Sequence, residues 1–310
     1  MSTERKLILG SRGSALAMVQ SEWVAAELVK AWPGLEVEIK RIRTQGDKIT
    51  DVPLARLGGK GLFTQEIDIA LLESEIDLAV HSMKDMPSDL VEGISIAAVP
   101  RRESPYDVAI TREGGAINDL PAGAVFGTSS LRRRAQLFAW RTDIEVTELR
   151  GNVDTRLHKL DEGAADAIIL AAAGLARLKI DRQHEVLPTS MMLPASGQGA
   201  LGITARSDDL KVVELLRSLD DLASNEITMI ERGLLAKMEG GCQTPIGIHA
   251  DRAGDEYRLQ AAIFLPNGSD RIYAEGGGRD REAVCDQVFR DLEGQGLRSF
   301  LAKIEDFLQL

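Results

Sequence analysis

The chain has 310 residues, 44% of them hydrophobic, 27% charged and 4% aromatic, with a formal net charge of −11. That length allows two or three domains, and the acidic balance with few aromatics argues against a nucleic-acid partner, which needs a basic face or stacking platforms. No apolar run reaches the roughly 18–20 residues of a membrane helix, Met1–Gly10 lacks a signal-peptide pattern, and the cysteines at 242 and 285 and four scattered histidines show neither a disulfide framework nor a metal-ligand spacing. A cytoplasmic chain without a metal site is expected.

Lys6–Gly10 reads as a strand. Ser14–Ala31 reads as a helix, with Leu16, Val19, Trp23 and Ala26 recurring on one face. Between them lies Gly10-Ser11-Arg12-Gly13-Ser14. A helix N-terminus there suits a carboxylate or phosphate; the alternative is a tight turn with its N-cap. The glycines do not match GxGxxG, so a dinucleotide fingerprint is absent. Glu36–Arg43 is a strand. Gly58-Gly59-Lys60-Gly61 lacks the following Ser/Thr of a phosphate-binding loop and reads as a mobile segment or a simple turn. Leu62–Leu72 is a helix, Ile76–His81 a strand and Ile94–Val99 another.

His81-Ser82-Met83-Lys84-Asp85-Met86-Pro87 follows the Ile76–His81 strand. Lys84 can bind an anion there and Asp85 can stabilise a developing cation; the plainer reading is an exposed ion pair. After Pro100–Pro105 the pattern restarts. Asp107–Thr111, Ala124–Gly127, Ile144–Leu149 and Ala167–Ala171 are strand-like, with helices over Leu131–Trp140 and Val153–Asp161. Gly127-Thr128-Ser129-Ser130-Leu131-Arg132-Arg133-Arg134 puts arginines in the first helical turn, where they oppose the helix dipole unless an anion is near. Leu149-Arg150-Gly151-Asn152-Val153-Asp154-Thr155-Arg156 repeats the arrangement, and Arg177 is placed like Arg150 and Arg156. Arg binds carboxylates bidentately, which Lys does not.

Pro188–Gly199 is a crossing segment, followed by a strand at Leu201–Ala205 and helices over Asp208–Leu219 and Asn225–Glu239. The rest reads as three strands, Ile246–Ala250, Tyr257–Leu265 and Arg271–Gly276, and one long helix from Asp280. In Gly240-Gly241-Cys242-Gln243-Thr244-Pro245 the cysteine sits between helix-stopping residues on a loop, accessible for covalent chemistry. Cys285 shares a stripe with Val288, Phe289 and Leu292 and reads as core. The βα alternation gives an α/β fold with mostly parallel sheets and helices on both faces, in two lobes around a cleft. Ligands are expected outside the carboxyl ends of the strands. No internal repeat of fixed period is visible.

HSMKDMP, GTSSLRRRAQL, LRGNVDTRL, ASGQGALGI and GGCQTPIG, with GSRGSALAMVQ and LGGKGLFTQE before them, resemble in order and spacing the porphobilinogen deaminase (hydroxymethylbilane synthase) family, from about residue 5 to 250. The resemblance implies two lobes like those of periplasmic binding proteins, plus a small C-terminal α+β domain that carries a cofactor cysteine. The expected boundaries are 1–100 with 200–220, 101–199, and 221–310. It implies a transferase that condenses four porphobilinogen molecules onto a dipyrromethane primer and releases hydroxymethylbilane by hydrolysis, as a monomer.

By the same resemblance the primer is thioether-linked to Cys242 and held by Lys84, Thr128, Ser129, Ser130, Arg132, Arg133 and Arg156. Arg12, Ser14, Gln20, Arg150, Arg156 and Arg177 belong to the substrate, Asp85 is catalytic, and Phe63, next to the Gly58–Gly61 stretch, lies by the pyrrole rings in a mobile loop. Arg133→Leu is expected to leave a folded chain without cofactor. Two competing readings are a non-catalytic two-lobed binding protein for small anions and an acyl transferase using Cys242 with His249. The first has no use for Cys242, and the second shows no orienting third group.

Overall fold

The computed structural model describes residues 6–48, 64–238 and 244–309. Gly58, Gly59, Lys60, Gly61, Phe63 and Cys242 lie outside the described residues. The chain opens with β1 (Lys6–Arg12), α1 (Ala15–Ala31), β2 (Glu36–Ile42), the short α2 (Gln45–Lys48), α3 (Gln65–Leu72), β3 (Leu78–Ser82) and β4 (Ile94–Ala98). Then follow β5 (Asp107–Thr111), β6 (Val125–Gly127), α4 (Leu131–Trp140), β7 (Glu145–Thr147), α5 (Val153–Asp161), β8 (Ala167–Ala171), α6 (Ala172–Leu178) and β9 (Glu185–Val186). The last part holds β10 (Leu201–Arg206), α7 (Leu210–Leu216), α8 (Leu222–Lys237), β11 (Ile246–Ala253), β12 (Glu256–Phe264), β13 (Arg271–Gly278), α9 (Arg281–Gly294) and α10 (Leu297–Gln309).

Two compact units result, one from residues 1–103 and 199–226, the other from 104–198 and 227–310. The first is an α/β lobe with strand order β2-β1-β3-β10-β4. β1 runs parallel to β2 and β3, while β10 returns antiparallel between β3 and β4. Side chains alternate across this sheet because the strand period is two. Leu7 and Leu9 pack with Val24 and Leu28 of α1 and Val212 and Leu216 of α7. Ile8 points the other way, to Ile67 and Leu71 of α3. Each fully buried aliphatic of this kind contributes roughly 1.5–3 kcal/mol.

The inner face of α1 differs from the sequence expectation. Gln20, Ser21, Val24 and Leu28 are buried, whereas Trp23 is 45% exposed. Polar residues take the inner face because their groups are satisfied there: the Ser21 hydroxyl donates to Ser11 Oγ at 2.8 Å and Gln20 bonds Ser82. A buried polar group so paired escapes the desolvation cost.

The second unit contains an α/β lobe with order β7-β6-β8-β5-β9 and a three-stranded sheet β11-β12-β13. β6, β7 and β8 are parallel, and β5 runs antiparallel between β8 and β9. Counting strands from β6, this is the order of the first lobe, with one reversed strand in the same place. The likeness reaches individual atoms. Asp77, just before β3, accepts the Ile8 N–H at 2.8 Å, and Asp166, just before β8, accepts the Val125 N–H at 2.9 Å. Phe126, Leu137 and Ile169 fill one side of the sheet; Ile110, Leu160, Ile168 and Leu175 fill the other.

The antiparallel sheet packs its apolar face on α8, α9 and α10, and Cys285 takes the core place its spacing predicts. One long C-terminal helix was expected; there are two, because Gly296 turns the chain at φ +85°. The β12–β13 turn sits on α4: Gly268 has φ +70°, and a Cβ there would lie 2.6 Å from the Ala135 carbonyl oxygen. Only glycine fits that approach.

Candidate active site

In the first lobe, β1 delivers Arg12 to the strand's carboxyl end and Ser14 caps α1, its Oγ accepting the Ala17 N–H at 3.3 Å. Two turns on, Gln20 donates from Nε2 to Ser82 Oγ at 3.1 Å. β3, parallel to β1, ends at Ser82 and leads into a 3-10 turn over Met83–Asp85. Met83 and Met86 are buried among Val99 and Ala200, and the Met83 N–H bonds the Ala200 carbonyl at 3.0 Å. Lys84 and Asp85 are therefore half-buried on a turn anchored from both sides. Arg12, Ser14, Gln20, Ser82 and Asp85 line one pocket, together with His81 and Thr64. Ser82, His81 and Thr64 were not assigned from sequence. His81 could have been, since it directly precedes the Lys84–Asp85 turn.

His81 Nε2 lies 3.2 Å from Thr204 Oγ1. Burial, helped by the positive charge of Arg12, pulls the imidazole down to about 4 from 6.5, so a neutral ring faces the pocket at neutral pH. Asp68 on α3 moves oppositely, pushed up from 3.8 to about 6 by burial. The two have opposite linkage. Between about 6.5 and 4 the unfolded chain takes the proton that folded His81 refuses, so this contribution falls as pH drops. Between about 3.8 and 6 folded Asp68 holds the proton, so its contribution falls as pH rises. The slopes oppose each other across the shared window. His81→Asn should expose the Asp68 slope, and Asp68→Asn should expose the His81 slope. Urea midpoints at about pH 4.5, 5.5 and 6.5 check this, and parallel curves for both variants and parent would refute it.

In the second lobe, three parallel strands deliver polar residues to one sheet edge. β6 leads to Thr128, Ser129 and Ser130; β7 leads to Arg150 and Arg156; β8 leads into α6, whose last turn carries Arg177. Thr128 Oγ1 accepts the Ser130 N–H at 3.2 Å, and Ser130 Oγ caps α4 by accepting the Arg133 N–H at 3.4 Å. Arg150 Nε donates to Glu148 at 2.7 Å, and Arg156 Nε to the Gly151 carbonyl at 2.8 Å.

Arg132 and Arg133 turn inward from α4 and are buried at 6% and 5% exposure. Both bind Asp107, which is fully buried on β5: Arg132 Nη1 to Oδ2 and Arg133 Nη2 to Oδ1, each at 2.7 Å. Burial pulls the Arg132 guanidinium below its ordinary value, and the Asp107 carboxylate opposes that shift. Asp107 was read from sequence only as the first residue of a strand. Arg134, the third of the run, is exposed and stacks over Phe138, 5.6 Å from the ring centre.

His249 lies on β11, 5% exposed, with Nδ1 3.8 Å from Glu231 Oε1. Glu231 is itself fully buried and accepts the N–H groups of Gly197 at 2.7 Å and Ala250 at 2.8 Å. Among the described residues no cluster of His, Cys, Asp and Glu is arranged to hold a metal. No helix among them is long and apolar enough to cross a membrane.

Fold and site define a protein with two α/β lobes, each presenting hydroxyls and arginines suited to carboxylates at the carboxyl ends of its parallel strands. Residues 7–214 match the family model described as "Porphobilinogen deaminase, dipyromethane cofactor binding domain", and residues 226–290 match "Porphobilinogen deaminase, C-terminal domain". The chain is 48% identical over 303 residues to the porphobilinogen deaminase of Desulforudis audaxviator, covering 97% of this chain and 98% of that one. It is 49% identical over 305 residues to that of Syntrophobacter fumaroxidans, covering 97% and 99%. With that of Nostoc sp. it shares 42% over 309 residues, covering 98% and 96%. The chain belongs to the porphobilinogen deaminase family.

Proposed function

We propose that this chain joins four porphobilinogen molecules head to tail, with loss of ammonia at each addition, and releases linear hydroxymethylbilane by hydrolysis. The observation that carries the reading is the pocket that sets Asp85 beside Arg12, Ser14 and Gln20 at the carboxyl ends of β1 and β3. Porphobilinogen bears two carboxylates and an aminomethyl group. Arg12, with the capped N-terminus of α1, binds a carboxylate. Gln20, fixed by Ser82, orients the ligand. Asp85 helps proton transfer to the amine as its C–N bond breaks and ammonia leaves. That proton is made good by the one lost from the pyrrole carbon that forms the new C–C bond. The Asp85 carboxylate stabilises the cation left behind, as a group aimed in advance at developing charge. Arg150, Arg156 and Arg177 take further substrate carboxylates.

The residues present fit dipyrromethane, whose side chains are carboxylates. Asp107 supplies one negative charge to two buried guanidinia, so the cluster keeps an excess of positive charge beside the hydroxyls of Thr128, Ser129 and Ser130. Those groups, with Lys84 and Arg156, would hold the cofactor, and Cys242 would carry it through a thioether. When bound, it supplies the nucleophilic pyrrole carbon and remains with the protein when product leaves. The accompanying organisation is three domains, 1–100 with 200–220, 101–199 and 221–310, a division supported by three separate sheets. A cytoplasmic monomer without a nucleic-acid partner completes the reading, in keeping with the net charge of −11.

The test is the intact mass of the purified chain with a peptide map across Cys242. An added mass of two linked pyrroles on that residue is expected. A chain that stays at its own mass after incubation with porphobilinogen overturns the reading.

A further inference from the structure

The buried cluster beneath α4 is more fully braced than simple charge neutralisation requires. Arg133 donates Nε at 3.0 Å and Nη2 at 2.7 Å to Asp107 Oδ1, and Nη1 at 2.9 Å to the Ile169 carbonyl. Arg132 Nη1 bridges Asp107 Oδ2 at 2.7 Å and the Leu193 carbonyl at 2.5 Å. Gln198, fully buried, donates Nε2 to Asp107 Oδ1 at 3.1 Å and to the Pro105 carbonyl at 2.7 Å. Gln136, one turn along α4, clamps Leu193 through both its N–H, at 2.7 Å, and its carbonyl, at 3.0 Å. One carboxylate on β5 is thus the common point of two guanidinia from α4 and an amide from the segment before β10. Nε and Nη2 of Arg132 make no hydrogen bond among the described residues.

A free Arg side chain has many rotamers to lose, and a site binds more tightly when that freedom is lost before the ligand arrives. We infer that Asp107 is a positioning residue for cofactor capture: it fixes Arg132 and Arg133 in the arrangement that receives the cofactor's carboxylates. Arg133 is held against Asp107 and Ile169, while Arg132 keeps Nε and Nη2 for the incoming anion. This rests on the reading that these arginines hold dipyrromethane. Gln198 acts one step further out, by orienting the Asp107 carboxylate.

The inference has a sign that charge alone would reverse. Asp107→Asn keeps the shape of the side chain and removes its charge. If Asp107 were merely a local negative charge, the variant's cluster would be more positive and would take an anionic ligand faster. A positioning residue predicts slower capture. Cofactor-free parent and Asp107→Asn chains would be incubated with porphobilinogen and the gain of dipyrromethane followed by intact mass. The temperature is one at which near-UV circular dichroism shows both chains folded.

Capture slowed at least tenfold in the folded variant is expected; capture at the parental rate or faster overturns the inference. Should Asp107→Asn fail to fold, Gln198→Met is read the same way, because it removes the amide's bonds to Asp107 and to the Pro105 carbonyl but no charge. A few-fold slowing is then expected, and an unchanged rate in a folded Gln198→Met chain overturns the inference. A parent chain that never gains mass would instead sink the proposed function, so the two failures are distinct.

Discussion

Asp85→Asn is expected to lower kcat by on the order of 10²–10³, the range for removing one group aimed at transition-state charge, with a much smaller change in porphobilinogen binding. The carboxylate stands on a turn that leaves it little choice of position. Met83 and Met86 on either side are 1% and 3% exposed, and backbone bonds from Met83 to Ala200 and from Met86 to Met83 close the turn. Arg12 and the N-terminus of α1 line the same pocket; under the proposed function they would attract the substrate's carboxylates and leave Asp85 for its amine end. Asp85→Glu is the sharper variant, because charge is kept and only reach changes. On an anchored turn, one added methylene displaces the carboxylate by about 1 Å, a misplacement that can cost on the order of 10² in rate. Single-turnover rates per cofactor-loaded chain check both variants. Full turnover by Asp85→Glu would remove Asp85 from its assigned role.

The strand ends were legible because glycines and polar residues interrupt apolar runs there, as at Gly10-Ser11-Arg12 and Gly127-Thr128-Ser129. α6 was not legible. Ala167 to Ala176 is a single apolar stretch, and the cap at Ala171 makes no side-chain bond, so no polar residue marks where strand gives way to helix. The duplication of the two lobes was hidden for a related reason. It survives in matched places such as Gly10 and Gly127, Ser14 and Ser130, or Asp77 and Asp166, while each reversed strand belongs to the segment crossing into its lobe, which destroys any fixed period. Periodicity also misplaced the inner face of α1, since Gln20 and Ser21 are buried through partners that only the fold supplies.

Arg133 shows the same gap in its most consequential form. A run of three arginines at a helix start reads as three equivalent cations, yet two are buried against Asp107 and the third is exposed. That changes what Arg133→Leu should do. A surface ligand for the cofactor could be lost at little structural cost. Here the substitution takes one guanidinium, with its bonds at 3.0 and 2.7 Å, away from the fully buried Asp107 and removes the donor to the Ile169 carbonyl. Arg132 still neutralises Asp107, so the cost comes from the buried acceptors that lose their donor, Asp107 Oδ1 and the Ile169 carbonyl, at about 1–3 kcal/mol for each such group. A large drop in the urea midpoint is therefore expected in addition to loss of cofactor.

Arg133→Lys should recover part of the midpoint, since it restores charge without the planar fork that reaches Asp107 and Ile169 together. A cofactor-free Arg133→Leu chain with the midpoint of a cofactor-free parent would mean that the cluster serves the ligand alone. A destabilised Arg133→Leu chain that nevertheless loads Cys242 at the parental rate would mean that it serves only the fold. Loss of both together is what two arginines sharing one buried carboxylate require.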